Sequence, residues 1–177
     1  RTMFLSAILL ALIVGAIAGG GLPRLAELRL RWIHLLLLAL GLRIGVGAAH
    51  GMGIAEGFPT GWAFILAYAL VLAWLWGNWR VPGLQIASVG IGANMAAVLI
   101  NGGQMPIWSA AFAAAGFGPA EIGNDPFHFL LQADTVAEFV ASGGLFGDVI
   151  PLPIPYIRDV VSIGDVLLAL GIFWAIV

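Results

Sequence analysis

Five apolar stretches of near membrane-spanning length dominate this chain of 177 residues, at about 3–20, 32–49, 61–77, 83–101 and 162–177. A helix needs about 20 apolar residues to cross roughly 30 Å of hydrocarbon, and each stretch approaches that length. Hydrophobic residues make up 62% of the chain and charged residues 9%, more apolar surface than one soluble core can bury. The sequence therefore predicts an all-α membrane protein, a single transmembrane domain of five transmembrane helices.

The region 102–161 is predicted to form an outer cap, helical and extended, between helices four and five. The run PIWSAAFAAAGFG predicts a short interfacial helix that starts near Pro106. The run NDPFHFLLQADTVAEFV predicts a second helix, with Asn124 or Asp125 as N-cap and Pro126 at its first position. The three prolines of GDVIPLPIP remove backbone donors, so this run predicts an extended strap.

The arginines predict the orientation in the membrane. Arg24, Arg29 and Arg31 lie in the first connection and Arg80 lies in the third, whereas the other two connections are mostly acidic. Positive residues of short loops stay in the cytoplasm. We therefore expect a multi-pass protein of the bacterial inner membrane, with its N-terminus outside and its C-terminus in the cytoplasm.

Composition excludes several kinds of site. The chain has no cysteine, so disulfides, thiolate metal sites and cysteine nucleophiles are excluded. It also has no lysine and a net charge of −2, so it lacks the basic patch that nucleic-acid binding requires. No spacing of the three histidines is that of a metal site, and no metal is predicted.

Arg43 is the most costly residue of the apolar stretches, because it lies roughly 9 Å inside the outer end of the second helix. One interpretation is that its side chain reaches outward to the lipid headgroups. The other is an ion pair with an acidic residue on the outer side, for which Asp134, Asp148 and Asp165 are the candidates. Such pairs more often fix helix packing than perform chemistry.

The histidines allow weaker hypotheses. His34 and His50 lie near opposite ends of the second stretch, and either could be a lone axial ligand of a haem or a chlorophyll-type pigment. A hydrogen-bonded histidine in helix packing is the more common case. His128, with Gln132 and Asp134 close in sequence, could line an outward-facing metal or acid/base site.

Small and amide side chains form a stripe on the fourth apolar stretch. Gly90, Asn94, Ala97 and Asn101 fall at helical spacing. Small residues let helices approach closely, and an amide can form a hydrogen bond across the contact. This pattern predicts helix packing through Asn94 and Asn101 rather than a polar transport path.

The segment SIGDV opens the last apolar stretch with an acidic residue. Ser162 and Asp165 have the spacing of a capping box, in which each side chain accepts a hydrogen bond from the other residue's backbone amide. The helix dipole also favours an acid in a first turn. The pattern therefore predicts that Asp165 helps to begin the helix, with Arg43 as its candidate partner.

Several motifs together resemble an uncharacterised family of bacterial integral membrane proteins, classed among the domains of unknown function. They are RLAELRLRWIHLLLLALGLR, NGGQMP, ADT, LFGDVIPLP and SIGDVLLALGIF, in this order along nearly the whole chain. The matching positions are Asn101, Gly102, Gly103, Met105, Pro106, Asp134, Thr135, Gly147, Asp148, Pro151, Pro153, Ser162, Gly164 and Asp165. The resemblance implies the topology and the family membership but does not imply a particular activity. Arg43 stands where an uncharged polar residue is expected in relatives.

The functional expectation is an accessory or scaffolding subunit that packs against other integral membrane proteins and membrane lipid, with a pigment as a further candidate. The alternative is a membrane enzyme or small-molecule binder with a site at the outer face under the cap. Its candidate polar site consists of Arg43, His128, Asp134, Asp148 and Asp165. No nucleophile with a positioned base can be named from spacing, so an enzyme is the less favoured interpretation.

Overall fold

The computed structural model of the protein describes residues 30–54, 60–123, 125–155 and 158–176. These ranges contain six α-helices, two short 3-10 helices and one four-stranded sheet. The helices are α1 (Ile33–Gly51), α2 (Thr60–Gly77), α3 (Leu84–Ile100), α4 (Ser109–Ala114), α5 (Val136–Ala141) and α6 (Ile163–Ile176). The strands are β1 (Met105–Trp108), β2 (His128–Leu131), β3 (Asp148–Leu152) and β4 (Asp159–Ser162), and the 3-10 helices are Pro119–Ile122 and Gly144–Phe146.

The four long helices coincide with four of the five predicted apolar stretches. The helix α1 packs against α2, α2 against α3, and α3 against α6. Their shared core contains the fully buried side chains of Phe64, Leu75, Ile91 and Val98. The predicted span at 3–20 lies outside the described residues.

The sheet has the strand order β2-β1-β3-β4. The strand β1 runs parallel to both of its neighbours, and β3 and β4 form an antiparallel pair. Pairing of β1 with β3 is limited to Ile107 and Asp148; Pro106 on β1 has no backbone N–H to contribute. A second, smaller core under the sheet is built on Ile107, Phe112 and Val160.

The prediction of an all-α protein with five transmembrane helices is wrong. Residues 102–161 contain the four strands, so the fold combines helices with a mixed sheet. Among the described residues, two helices, α1 and α2, are long and apolar enough to cross a membrane. The helices α3 and α6 have 17 and 14 residues, or about 26 and 21 Å, short of roughly 30 Å of hydrocarbon.

Local predictions for the cap were also partly wrong. Pro106 lies in β1 rather than in the first turn of a helix, and α4 begins only at Ser109. The segment predicted as one helix from Asn124 or Asp125 contains β2 and then α5, whose N-cap is Thr135. Pairing between distant segments explains both errors, because apolar runs of four residues gain their stability from the neighbouring strand. The extended conformation predicted for GDVIPLPIP is confirmed over β3.

Glycines bring α3 and α6 into backbone contact. A Cβ atom added at Gly90 would lie 2.3 Å from the carbonyl oxygen of Gly164, and one at Gly171 would lie 2.5 Å from the carbonyl oxygen of Gly83. Side chains at these positions would hold the two helices apart. The contact therefore fixes where α6 begins relative to Asn94, which lies one turn beyond Gly90 on α3.

Candidate functional site

A small cavity lies where the sheet meets the long helices. Its volume is about 20 Å³, room for about one water molecule. We call it the polar chamber, and it is lined by Arg43, Tyr68, Asn94, Met105, His128, Asp148 and Asp165.

Strand pairing brings the sheet's contribution to one edge. Met105 and His128 begin the parallel strands β1 and β2 and are register partners. Asp148 begins β3, which is also parallel to β1, and it pairs with Ser162 at the end of the antiparallel strand β4. The sheet therefore presents His128, Asp148 and the start of α6 together, although they are far apart in sequence.

A hydrogen-bond network joins α3 to the first turn of α6. The Asn94 side chain donates to Asp165 Oδ1 at 2.8 Å and accepts from the Ser162 hydroxyl at 2.8 Å. The Asp165 amide donates to Ser162 Oγ, and the Ser162 amide donates to Asp165 Oδ2. These last two bonds confirm the predicted capping box. Asp165 thus begins the helix and also presents its carboxyl group to the polar chamber.

Arg43 lines the chamber and contacts two aromatic rings that also contact each other. Its guanidinium carbon lies 4.8 Å from the ring centre of Phe64 and 5.2 Å from that of Phe127, distances typical of cation–π contacts. The Tyr68 hydroxyl, one turn after Phe64 on α2, is hydrogen-bonded to Arg43. A guanidinium can contact aromatic rings and donate hydrogen bonds to oxygen acceptors at the same time.

His128 is held by Asp125. Its Nδ1 atom lies 3.0 Å from Asp125 Oδ2, and Asp125 Oδ1 accepts the Phe127 amide at 2.8 Å. Burial by itself raises the pKa of Asp125, but the hydrogen bond and charge of His128, with the Phe127 amide, outweigh it and lower the pKa to about 2. The contact fixes the imidazole at the chamber wall.

Asp148 is the most deeply buried acid of the chamber, with 3% of its surface exposed. Burial, followed by the negative charges of Asp165 and Asp159, raises its pKa well above the usual value, against the opposing charge of Arg43. Its carboxyl group is therefore held toward the protonated form, in which it can donate a hydrogen bond.

The raised pKa of Asp148 predicts how stability depends on pH. The pKa of Asp148 is about 3.9 in the unfolded protein and higher in the folded protein. At a pH between these two values unfolding releases a proton, so the free energy of unfolding falls by up to about 1.4 kcal/mol for each unit by which the pH rises. Asp148→Asn removes this contribution. We expect the melting temperature of the variant to exceed that of the wild type at pH 7–8, with the difference shrinking toward pH 4. Parallel melting curves of the two proteins across this range would contradict the assignment.

An apolar groove between α1 and α2 shares part of its lining with the chamber. Its volume is about 320 Å³, at the lower end of the range of small-molecule sites, about 300–1,000 Å³. The groove is lined by Ile33, Leu36, Leu37, Ala39, Leu40, Arg43, Phe64, Ala67, Tyr68 and Val71. Arg43 and Tyr68 belong to both linings, so the groove and the polar chamber adjoin at these two side chains.

The structure gathers most of the predicted polar site. Arg43, His128, Asp148 and Asp165 line one chamber, whereas Asp134 is exposed and its amide donates to Glu138 of α5. Tyr68 and Asp125 are among the contributors that were missed. A tyrosine inside an otherwise apolar stretch was the available signal for the first, and the short spacing to His128 for the second.

The other predicted residues lie away from the chamber. Asn101 ends α3, and its side chain donates to the carbonyl oxygens of Ala97 and Ser142, which ties the helix to the turn after α5. His34 is exposed at the start of α1, and His50 lies in its last turn. Within the described ranges, no three His, Asp or Glu side chains are grouped as a metal site requires.

Comparisons with known proteins place the chain in a family. A protein of Thermotoga maritima, given as "Uncharacterized protein", is 29% identical over 103 residues, which is 58% of this chain and 54% of the relative. The chain thus spans about half the length of this curated relative. No solved structure matches the chain. The model of a family of unknown function, DUF5317, matches residues 27–177. This match includes the whole described fold, and the chain therefore belongs to the DUF5317 family.

Proposed function

We propose that this protein is a multi-pass protein of the bacterial inner membrane that binds a single-chain amphiphile between two of its long helices. The ligand's apolar chain lies in the groove between α1 and α2, and its polar end reaches Arg43 and Tyr68 at the polar chamber. This is a small-molecule binder with a site under the cap.

The observation that carries the proposal is the shared lining of groove and chamber. The groove wall is apolar along α1 from Ile33 to Arg43, a rise of about 15 Å. At its end the lining changes within one helical turn to a guanidinium and a phenol. A site that is apolar along its length and polar at one end matches an amphiphile lying parallel to the helices.

Exposed apolar surface supports a membrane location. Only 11% of the apolar stretch of α1 and 39% of that of α2 are buried inside the protein, unlike core helices of a soluble protein. Exposed large side chains such as Leu37, Ile44, Leu66 and Trp76 would face lipid. An apolar surface of this extent marks contact with a membrane or another protein.

The positions of the arginines support an orientation. The Arg31 backbone exchanges two hydrogen bonds with the Asn78 side chain, so the start of α1 and the end of α2 meet at the end opposite the sheet. Arg80 and the exposed Trp79 lie at this same end. By the positive-inside rule this end faces the cytoplasm. The sheet and the chamber are then outside, and α6 ends on the cytoplasmic side.

The accessory or scaffolding function stays a prediction. An apolar stripe on α6, made of Val166, Leu170 and Trp174, is 40–63% exposed and would suit another integral membrane protein as well as lipid. Co-purification of a membrane partner in mild detergent would support this second function. Recovery only as a lone monomer would contradict it.

Photolabelling tests the binding proposal. Three probes share a tetradecyl chain with a diazirine at its tip and differ in their polar end, a hydroxyl, a phosphate or a trimethylammonium. In purified protein, at least one probe should label peptides of α1 and α2 that line the groove. Ala39→Phe places a ring in the groove and should reduce this labelling by about tenfold, equivalent to about 1.4 kcal/mol of binding.

Ala48→Phe is the matched control, because Ala48 lies on the same helix but is exposed and outside the groove. It should label like the wild type, and both variants should show the thermal unfolding of a folded protein. Labelling spread evenly over the lipid-facing helices, for every probe, would contradict the proposal whether or not Ala39→Phe folds.

A further inference from the structure

We infer that the polar end of the bound amphiphile is a small uncharged oxygen group, a hydroxyl or a carbonyl, that occupies the polar chamber. This inference rests on the proposed binding of a single-chain amphiphile and names the chemical class of the ligand. Long-chain alcohols, aldehydes and ketones belong to that class, and lipids with phosphate or quaternary ammonium headgroups do not.

The size of the chamber is the first argument. A cavity of about 20 Å³ has room for about one water molecule. A single hydroxyl or carbonyl oxygen is of that size. A phosphate, with four oxygens, and a trimethylammonium group, with three methyl groups, both exceed it. Either would have to stay in the groove, whose lining is almost entirely apolar.

The balance of charges is the second argument. The chamber wall contains one guanidinium, from Arg43, and two carboxyl groups, from Asp148 and Asp165. An anionic head would bring a further negative charge next to buried acids, where desolvation makes it costly. Burial and the charges of Asp165 and Asp159 already raise the pKa of Asp148. The chamber therefore disfavours negative charge, and a further anion would be unfavourable there. A cationic head would meet Arg43 at the entrance.

Hydrogen bonding is the third argument. Arg43 and Tyr68, at the junction of groove and chamber, supply N–H and O–H donors to an incoming oxygen. The carboxyl groups of Asp148 and Asp165 supply acceptors for a hydroxyl proton. A neutral oxygen can therefore be satisfied from the chamber wall, and a buried polar group needs such partners.

Competition among three unlabelled amphiphiles tests the inference on the wild-type protein. Tetradecanol, tetradecyl phosphate and tetradecyltrimethylammonium are each titrated against whichever photoreactive probe labels the groove. Tetradecanol should displace the probe at a concentration at least about tenfold lower than the other two, since one buried unpaired charge costs more than about 1.4 kcal/mol. Tetradecane, which has the chain without a polar end, should compete more weakly than tetradecanol.

The possible failures differ in meaning. Stronger competition by the phosphate or the ammonium compound overturns the neutral head and leaves the amphiphile site in place. Equal competition by tetradecane and tetradecanol overturns any role of the polar chamber in ligand binding. Absence of groove labelling with every probe removes the proposed function and the inference with it. The variant Asp148→Asn places a neutral side chain at that position and should retain the preference for tetradecanol. A switch to tetradecyl phosphate would contradict the charge argument.

Discussion

Replacing Gly90 by alanine should destabilise the protein by about 3 kcal/mol, the upper part of the usual range for an overpacked core. The added Cβ would lie 2.3 Å from the Gly164 carbonyl oxygen and 2.9 Å from the Leu168 amide nitrogen. Both are backbone atoms of α6, so no side chain can rotate to relieve the contact. The helices must separate, which strains the nearby hydrogen bond between Asn94 and Asp165.

Gly92 provides the control for this prediction. It lies on the same helix, and a Cβ added there would meet no atom within 4 Å. Since alanine has a helix propensity better than glycine by about 0.8–1 kcal/mol, Gly92→Ala should leave the stability unchanged or raise it. Unfolding followed by circular dichroism in one detergent compares both variants with the wild type. Equal stabilities of Gly90→Ala and Gly92→Ala would show that α3 and α6 do not pack as described.

Replacing the half-buried Arg43 by methionine should destabilise the protein by about 2–3 kcal/mol, the upper part of the usual range for single substitutions, because its cation faces the buried acids Asp148 and Asp165. Methionine keeps much of the length and apolar contact of the side chain while it removes the guanidinium. Asp148 and Asp165 would then line the chamber without the cation that faces them. The contacts of Arg43 with the Phe64 and Phe127 rings would also lose their cation–π component.

Two comparisons separate this effect from a general loss of arginine. Arg80 is exposed at the opposite end of the helices, and Arg80→Met should change the stability by no more than about 0.5 kcal/mol. In an Asp165→Asn background, Arg43→Met should cost at least about 1 kcal/mol less than in the wild type, because the two residues share the chamber. Additive effects of Arg43→Met and Asp165→Asn would contradict electrostatic coupling between them.

Sequence periodicity and composition were sufficient to locate the long helices. Apolar stretches with glycine or proline at their borders gave the positions of α1, α2, α3 and α6 to within about two residues, an accuracy limited by fraying and assignment. Local chemistry also predicted the capping box of Ser162 and Asp165. These features depend on neighbours within one helical turn, so a single sequence contains the information that specifies them.

The sheet could not be predicted by the same reasoning. Each of its strands has four or five residues, and β1 pairs with a strand more than twenty positions away in the chain. Stability of such strands comes from cross-strand pairs and burial rather than from local preference. The proline in β1 and the helix-like run around β2 therefore led to helices in the prediction. The same long-range pairing places His128 and Asp148 at one edge.

The chamber was only partly predictable for a related reason. The cost of a charge in an apolar stretch identified Arg43 from sequence, and Asp134, Asp148 and Asp165 were its candidate partners. Which acids face Arg43 depends on the sheet, and Asp134, which lies just before α5, is directed to the surface instead. Tyr68 joins the site because α2 crosses beside α1, a contact that composition alone does not specify.

An experimental density map of the protein purified in native lipid would test the amphiphile site most directly. We expect a tube of non-protein density along the groove between α1 and α2, beside Leu36 and Val71, with its end at Arg43 and Tyr68. Density that stops short of Arg43 would show that the polar end of the ligand does not reach the chamber. A groove filled by a protein segment, or closed by contact between its lining side chains, would contradict the proposed site.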